Sequence, residues 1–209
     1  MSNPDVAQLD FDKLKFPLRV RHWRHGVRFH ISTQMSLSNS AAVRFAIAQG
    51  ASRVVLAREC TLDEVRRIIT TTGAEVECFV HGAQCVAISG RCLMSHDAFG
   101  FSACRGECRQ PCRRKFRIQA VDLYTDAGGK PVHESDTAFE IEPRTVLSAK
   151  DLCSIGFIDK LVDAGISSFK IEGRARNANY VMACVRAYRR AVDAVLAGEW
   201  SPDLAATLL

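Results

Sequence analysis

The 209-residue sequence has no apolar run approaching the roughly 18 residues that a membrane-spanning helix needs. A membrane span is therefore not expected. Its opening, MSNPDVAQLDFDKLKF, carries acids where a secretory signal would place a basic end and an apolar stretch, so the expected compartment is the cytoplasm. The machinery of common hydrolases is also missing. There is no G-x-S-x-G, no H-E-x-x-H and no cysteine with an evident histidine base, and a peptidase reading of the bare residues has no nucleophile to name. Nor are there two C-x2-C knuckles of a zinc ribbon, or the tight cysteine run of a ferredoxin.

What the sequence does have is thiols. Five of its nine cysteines, Cys85, Cys92, Cys104, Cys108 and Cys112, crowd into one stretch between Glu77 and Phe116. Loops beyond about 12 to 15 residues are usually functional or disordered. A reducing compartment makes structural disulfides rare, and the odd count argues against complete pairing, so metal binding or catalysis is the expected use. A hydrophobic fraction of 47% with 24% charged residues suits one soluble domain with a real core, and a net charge of +5 permits a polyanionic partner without requiring one.

In chain order, residues 1–26 read as an irregular lead. At its end Arg19, Arg21, Arg24 and Arg28 crowd around His22, Trp23 and His25 and read better as a solvated approach to a strand than as an RNA contact. A short strand is expected at Val27–Ile31, ending at Ser32-Thr33-Gln34. A capped helix over Ala41–Ala48 closes at Gly50, and SRVVLA reads as a buried parallel strand. Thr61-Leu-Asp-Glu64 fits a capping box and starts a helix that Gly73 ends. EVECFV follows as the third strand.

The cysteine-rich loop is set at 82–115, and a β-rich insertion at about 116–146 contains the alternating segment Phe116–Tyr124 and a turn at Asp126–Lys130. Ser148, with Asp151 three residues on, reads as the start of a helix that Ala164-Gly165 closes. SSFKIEGR reads as the last strand. Asn177–Gly198 reads as the strongest helix, with Val181, Cys184, Val185, Tyr188, Ala191, Val192 and Val195 on its packed face. Residues 199–209 are a tail. Alternating strands and helices of these lengths imply right-handed parallel βαβ units, four of them, with ligands beyond the C-terminal strand ends. Ser32-Thr33-Gln34, Arg58-Glu59, His81-Gly82 with Cys85, and Glu172-Gly173-Arg174 then share one face.

The spacing C-x6-C-x15-C-x3-C of Cys85, Cys92, Cys108 and Cys112 admits a zinc ion or an iron–sulfur cluster. Cys104 is a spare within reach and Cys153 a second, whereas Cys60, Cys78 and Cys184 read as small core residues. Arg105, Arg109, Arg113, Arg114 and Lys115 are either solvated charge or a contact for phosphate. His81 is a base, a substrate contact or a satisfied structural histidine. Glu172 and Arg174 are an ion pair at the strand mouth or substrate groups.

The run Glu77-x-Phe79-x-x-Gly82-Ala83-x-Cys85-x4-Gly90-x-Cys92-x-Met94-Ser95 resembles the signature of the U32 family, the collagenase-like peptidases. RGECRQPCRRKF, HISTQ, ARECTLDEV and FKIEGRARNANYV are similar to further blocks of that family, so that the resemblance covers about residues 28–195. It implies a TIM-like (β/α) barrel of which this chain is the C-terminal half, a partial barrel domain over 27–198 bearing the cysteine-rich loop and the small β-rich insertion. It also implies a [4Fe–4S] cluster on Cys85, Cys92, Cys108 and Cys112, with zinc as the alternative, and hydroxylation of RNA, most similarly of a tRNA uridine. His81, Glu172 and Arg174 are then the candidate catalytic groups, and Arg105, Arg109, Arg113, Arg114 and Lys115 the RNA contacts. The alternatives are a peptidase, with His81 or Glu172 in its site, and a non-catalytic metal-binding partner subunit. Half a barrel leaves open sheet edges, so the chain is expected to be a fragment, to pair with a separate N-terminal half-barrel chain, or to self-associate.

Overall fold

The computed structural model describes residues 28–116, 118–125, 128, 131–139 and 146–208. The expected lead at 1–26, all but residue 128 of the expected turn at Asp126–Lys130, and residues 140–145 of the expected insertion lie outside them. Two compact units emerge. One holds the described residues up to Cys92 together with those from Asp151 onward; the other is Leu93–Lys150.

The first unit is α/β. Its parallel strands β1 (His30–Ile31), β2 (Arg53–Val55), β3 (Val76–Ala83) and β7 (Ser168–Glu172) lie side by side in that order. Helices α1 (Ser40–Ala48) and α2 (Leu62–Thr72) connect the first three. Asn39 caps α1 by accepting the Ala42 N–H at 2.9 Å. At α2, Thr61 and Glu64 form the expected capping box, the Thr61 N–H reaching Glu64 at 2.7 Å, and Gly73 ends the helix at φ 64°. A left-handed C-terminal residue is one that glycine adopts without a Cβ penalty.

The segment after Ser148 is a correction. Asp151–Cys153 is a strand, β6, which pairs antiparallel with His81–Ala83; helix α4 begins only at Ile158 and runs to Asp163, after a 3₁₀ turn at Ile155–Phe157. Because β2 meets β3 only at Val76 and Glu77, the upper part of that edge is open, and β6 satisfies its backbone groups. Asn177 and Gly198 cap α5 (Ala178–Ala197) as expected. Its packed face carries Tyr188, Ala191 and Ala194, while Val185, expected there, is 49% exposed. The expected tail contains a helix, α6 (Pro202–Thr207), capped by Ser201, which packs on the 3₁₀ turn and buries Ala205.

Helices cover one face of the sheet. Val54, Leu56, Val76 and Ile166 pack there with Val43 of α1 and Val65 and Ile68 of α2, and Val80 packs with Ile155, Ile158, Tyr188 and Ala191. Burying each such aliphatic side chain is worth about 1.5–3 kcal/mol. The other face is ionic. Glu75 pairs with Arg53 at 2.9 Å and with Arg28 at 3.2 Å, and Glu77 meets Lys170 at 3.2 Å and accepts the Ser168 hydroxyl at 3.0 Å. Phe79 lies under both Arg58, at 4.4 Å, and Lys170, at 5.3 Å. The alternation of E-V-E-C-F-V thus separates an ionic from an apolar surface.

The second unit contains helix α3 (Met94–Phe99), 3₁₀ turns at Ala103–Arg105 and Pro111–Arg113, and an antiparallel pair, β4 (Ile118–Thr125) with β5 (Pro131–Phe139). The expected β-rich insertion is this two-stranded ribbon. No described helix is long and apolar enough to cross a membrane.

Candidate functional site

The start of the cysteine loop is fastened to the C-terminal strand ends. Gly82, at φ 99°, lies so close to β7 that a Cβ would fall 2.2 Å from the Glu172 carbonyl oxygen. Gly90, at φ 73°, lies against the chain just after β1, where a Cβ would fall 2.1 Å from the Gln34 oxygen. Between them Ser89 is 1% exposed. Its hydroxyl accepts the Arg58 N–H at 3.1 Å, and its own N–H donates to Glu59 at 2.8 Å. This clamp holds the loop between exposed Cys85 and half-buried Cys92.

Of the expected ligands, Cys85 and Cys92 fall in the first unit and Cys108 and Cys112 in the second. Within neither unit do the described residues gather three or more His, Cys, Asp or Glu side chains able to hold a metal ion. None of the nine cysteines forms a disulfide. Cys108 sits among hydrogen-bond donors. Its Sγ accepts the Gln110 N–H at 3.4 Å and lies 3.9 Å from the Ser95 hydroxyl, and that buried hydroxyl accepts the Arg109 N–H at 2.9 Å. Gln110 reaches this position at φ 52°, in the left-handed region, and turns the chain into the 3₁₀ turn that carries Cys112. One backbone N–H and one hydroxyl directed at the sulfur make a donor set that suits a ligand to a cluster or a zinc ion.

Among the expected RNA contacts, Arg105, Arg109, Arg114 and Lys115 are exposed and Arg113 is half-buried. Arg109 stacks over Phe101 at 4.1 Å and Arg114 over Phe99 at 4.7 Å, while Arg113 donates to the Ser148 hydroxyl at 3.2 Å. The aromatic supports leave the guanidinium edges available for a phosphate.

His81 is moved by an irregularity in β3. Phe79 is in register with Lys170 but His81 with Ile171, so the strand gains one residue at Val80. Such a bulge re-aims the side chain after it. Continued alternation from Glu77 and Phe79 would place His81 on the ionic face; the bulge turns it to α5 instead, where Nε2 lies 3.0 Å from the Tyr180 hydroxyl and Nδ1 3.3 Å from that of Tyr188. The Val80 carbonyl accepts three donors, the Tyr188 hydroxyl at 2.8 Å, the Ser154 hydroxyl at 2.9 Å and the Ser154 N–H at 3.1 Å. Burial holds the His81 pKa below its usual value, and burial raises that of Tyr188 to about 12. Sequence reasoning left His81 without a partner, although Tyr180, Cys184 and Tyr188 recur every four residues along one side of α5.

Glu172 and Arg174, read as an ion pair or as substrate groups, meet through the backbone. The Glu172 carboxylate accepts the Arg174 backbone N–H at 2.9 Å, and Arg176 pairs with Asp151. Glu172 is in register with Gly82, one residue beyond the His81–Ile171 pair, which puts it on the opposite sheet face from His81. The three candidate catalytic residues thus share a strand end but not a face.

Beside the clamp is a cavity of about 210 Å³, lined by Arg58, Cys60, Cys78, Gln84, Phe157 and Leu161 among others. Burial is the main cause that pushes Cys60 up to about 11 and Cys78 up to about 12. Both are neutral thiols, in keeping with the core role expected of them.

The sequence profile of peptidase family U32 matches residues 18–208. The chain belongs to peptidase family U32. U32 relatives include an uncharacterized protease of Methanocaldococcus jannaschii, 43% identical over 184 residues, which covers 86% of this chain and 42% of that protein. A collagenase of Porphyromonas gingivalis is 39% identical, and tRNA hydroxylation protein P1 of Bacillus subtilis is 40% identical; each alignment covers 189 residues, 85% of this chain and 42% of the relative. This U32 chain therefore spans about two fifths of the length of each. No solved structure matches it.

Proposed function

We propose that this chain is the cluster-bearing part of a U32-type RNA hydroxylation factor, acting on a tRNA uridine, in which Cys85, Cys92, Cys108 and Cys112 hold a [4Fe–4S] cluster. The observation that carries the reading is the Cys108 sulfur, which accepts the Gln110 N–H at 3.4 Å beside a buried serine hydroxyl. Hydrogen bonds to ligating sulfur are one of the levers that set a cluster's potential. When bound, the cluster supplies one-electron chemistry.

The remaining tasks belong to the chain's own residues. The Ser89–Gly90 clamp holds the first two ligands beside the strand ends, and Arg105, Arg109, Arg113, Arg114 and Lys115 contact the RNA backbone. His81, Glu172 and Arg174 serve substrate from the end of the sheet. The name of the Bacillus subtilis relative supports RNA as the substrate class. The parallel run β1–β2–β3–β7 supports the reading of a C-terminal half of a TIM-like barrel, its ionic face turned inward. A separate N-terminal half-barrel chain, or a second copy of this one, then covers that face, and a stable folded monomer in sedimentation refutes such an association.

Anaerobic purification followed by iron, sulfide and zinc analysis tests the cluster. Iron and sulfide in equal amounts are expected, to be lost when the four cysteines are changed to serine and kept in Cys104→Ser. Zinc alone, or metal retained in the fourfold variant, overturns it. A peptidase reading is favoured by the names of the Methanocaldococcus and Porphyromonas relatives. It requires cleavage of denatured collagen that survives purification to homogeneity and disappears in His81→Gln or Glu172→Gln.

A further inference from the structure

The hydrogen bonds around His81 fix where its proton lies. Tyr188 Oη gives its single proton to the Val80 carbonyl at 2.8 Å and accepts the Ser154 N–H at 2.9 Å. Of the acceptors within reach of the Tyr188 hydroxyl, the Val80 carbonyl at 2.8 Å is nearer than His81 Nδ1 at 3.3 Å or Cys153 Sγ at 3.9 Å, so the proton is assigned to that carbonyl and Nδ1 to the donor role toward Tyr188. Burial favours the uncharged ring, with Arg176 acting in the same sense and Asp151 against it. A neutral imidazole protonated on Nδ1 has a bare Nε2, and that nitrogen faces the Tyr180 hydroxyl at 3.0 Å. Tyr180 therefore donates its phenolic proton to a base.

We propose that Tyr180 and His81 form a general-base site, separate from the cysteine loop, that takes one proton from a weakly acidic O–H or N–H group of a substrate at the start of α5. As the substrate's proton moves to Tyr180 Oη, the proton already on that oxygen passes to His81 Nε2. The substrate's O–H or N–H bond and the old Tyr180 O–H bond break, a new Tyr180 O–H bond and a His81 Nε2–H bond form, the substrate keeps the electron pair as an anion, and the positive charge left on the ring faces Asp151. The resting pair has a vacant acceptor and no surplus proton, so it takes a proton and does not give one.

The surroundings suit this step. Tyr180 is half-buried in the first turn of α5, and burial, then Cys184, hold its pKa above the ordinary phenol value, with the Arg176 guanidinium 4.9 Å from its ring centroid opposing them, so a free phenolate is disfavoured and the proton has to pass to His81 as the new one arrives. The groups facing the pair are Asp151 and Cys153 from β6, Arg176 from the turn before α5, and Cys184 and Tyr188 from α5 itself. Tyr188 is buried and acts through His81, as a positioning residue that fixes the tautomer. The tie between α5 and β3 is already made by Tyr188 and Ser154 on the Val80 carbonyl, which leaves the Tyr180 bond surplus to structure. None of this depends on what the cysteines hold, so loss of the cluster reading leaves it standing.

A phenol backed by a base attacks an acyl reagent faster than a free one, because its proton leaves as the new bond forms. The full chain is treated with N-acetylimidazole, and acetylation of Tyr180 is followed by peptide mass spectrometry beside N-acetyltyrosine amide. Acetylation about a hundredfold faster than the model phenol is expected, in line with the usual size of general-base assistance. The rate should fall on the acid side with the His81 midpoint measured by nitrogen-15 NMR, which should also show the Nδ1–H tautomer. His81→Gln should return the rate to that of the model phenol, with an unchanged circular dichroism spectrum. A Tyr180 rate at or below the model's, a rate unmoved by His81→Gln, or an Nε2–H tautomer overturns the proposal. If His81→Gln does not fold, the wild-type pH profile decides alone: a rate that keeps climbing tenfold per pH unit toward the phenol's own pKa, with no plateau above the His81 midpoint, overturns it too.

Discussion

Replacing Gly90 by alanine should unfasten the cysteine loop, and Gly73→Ala provides the reference that isolates the effect. Both glycines have positive φ, 73° and 64°, but an alanine Cβ at Gly73 meets nothing within 4 Å, whereas at Gly90 it would fall 2.1 Å from the Gln34 oxygen. The left-handed conformation costs an L-residue roughly 1–2 kcal/mol, offset by about 0.4–1 kcal/mol from the reduced freedom of the unfolded chain. Gly73→Ala should therefore cost about 1 kcal/mol. At Gly90 the backbone has to retreat, and the adjacent Ser89 is drawn away from Arg58 and Glu59, its partners at 3.1 Å and 2.8 Å. A hydrogen bond to a charged group such as the Glu59 carboxylate is worth about 1.5–3 kcal/mol, so Gly90→Ala should cost about 2.5–4 kcal/mol in all. Urea unfolding followed by circular dichroism measures both variants. Costs that agree within about 0.5 kcal/mol, the limit of such comparisons, would refute the reasoning that the loop is held by this close approach.

The His81 environment makes a pH prediction. Its pKa is lowered in the fold from the ordinary 6.5 by burial, so the unfolded chain takes up the proton first as pH falls. The contribution is fully present above about pH 6.5 and is lost as pH falls toward the folded value; His81→Gln should flatten that part of the stability–pH curve, and an unchanged curve counts against the burial argument. Tyr188→Phe should destabilise by about 1–3 kcal/mol, because the His81 ring loses a partner and the Ser154 N–H keeps only its longer bond, to the Val80 carbonyl at 3.1 Å. Chemical denaturation of the variant measures this, and a loss under 0.5 kcal/mol would mean that water replaces the hydroxyl.

Much of the fold was legible because its determinants are local. The capping box at Thr61–Glu64 and the caps at Asn177 and Gly198 lie within a turn of the helices they bound, and the structure uses all of them. Ser148 with Asp151 presents the same chemistry, yet Asp151–Cys153 is a strand, because the unpaired edge of β3 at His81–Ala83 makes a long-range demand that no local pattern records. The bulge at Val80 leaves no mark in composition either. It decides the surroundings of His81, and with them the difference between a lone histidine and one held between two phenols. At the site, the clamp residues Ser89 and Gly90 lie inside the signature block. Their contacts run to Gln34, Arg58 and Glu59, dozens of residues away, so the sequence located the cysteines without showing what positions them. The helix at Pro202–Thr207 had its signals in Ser201-Pro202-Asp203, an N-cap, a proline in the first turn and an acid at the positive end, and only its shortness obscured it.

The two faces of the sheet differ in what they tolerate. An apolar face accepts any covering that excludes water, since hydrophobic attraction has no direction. The face bearing Arg53, Glu75, Glu77 and Lys170 does not, because a surface laid on it with one residue's error sets like charges together, at a cost of several kcal/mol. It can also stay wet at little cost while uncovered. Whatever closes over this sheet is therefore selected by register rather than by greasiness, and the alternating acids of β3 act as a key cut along the strand.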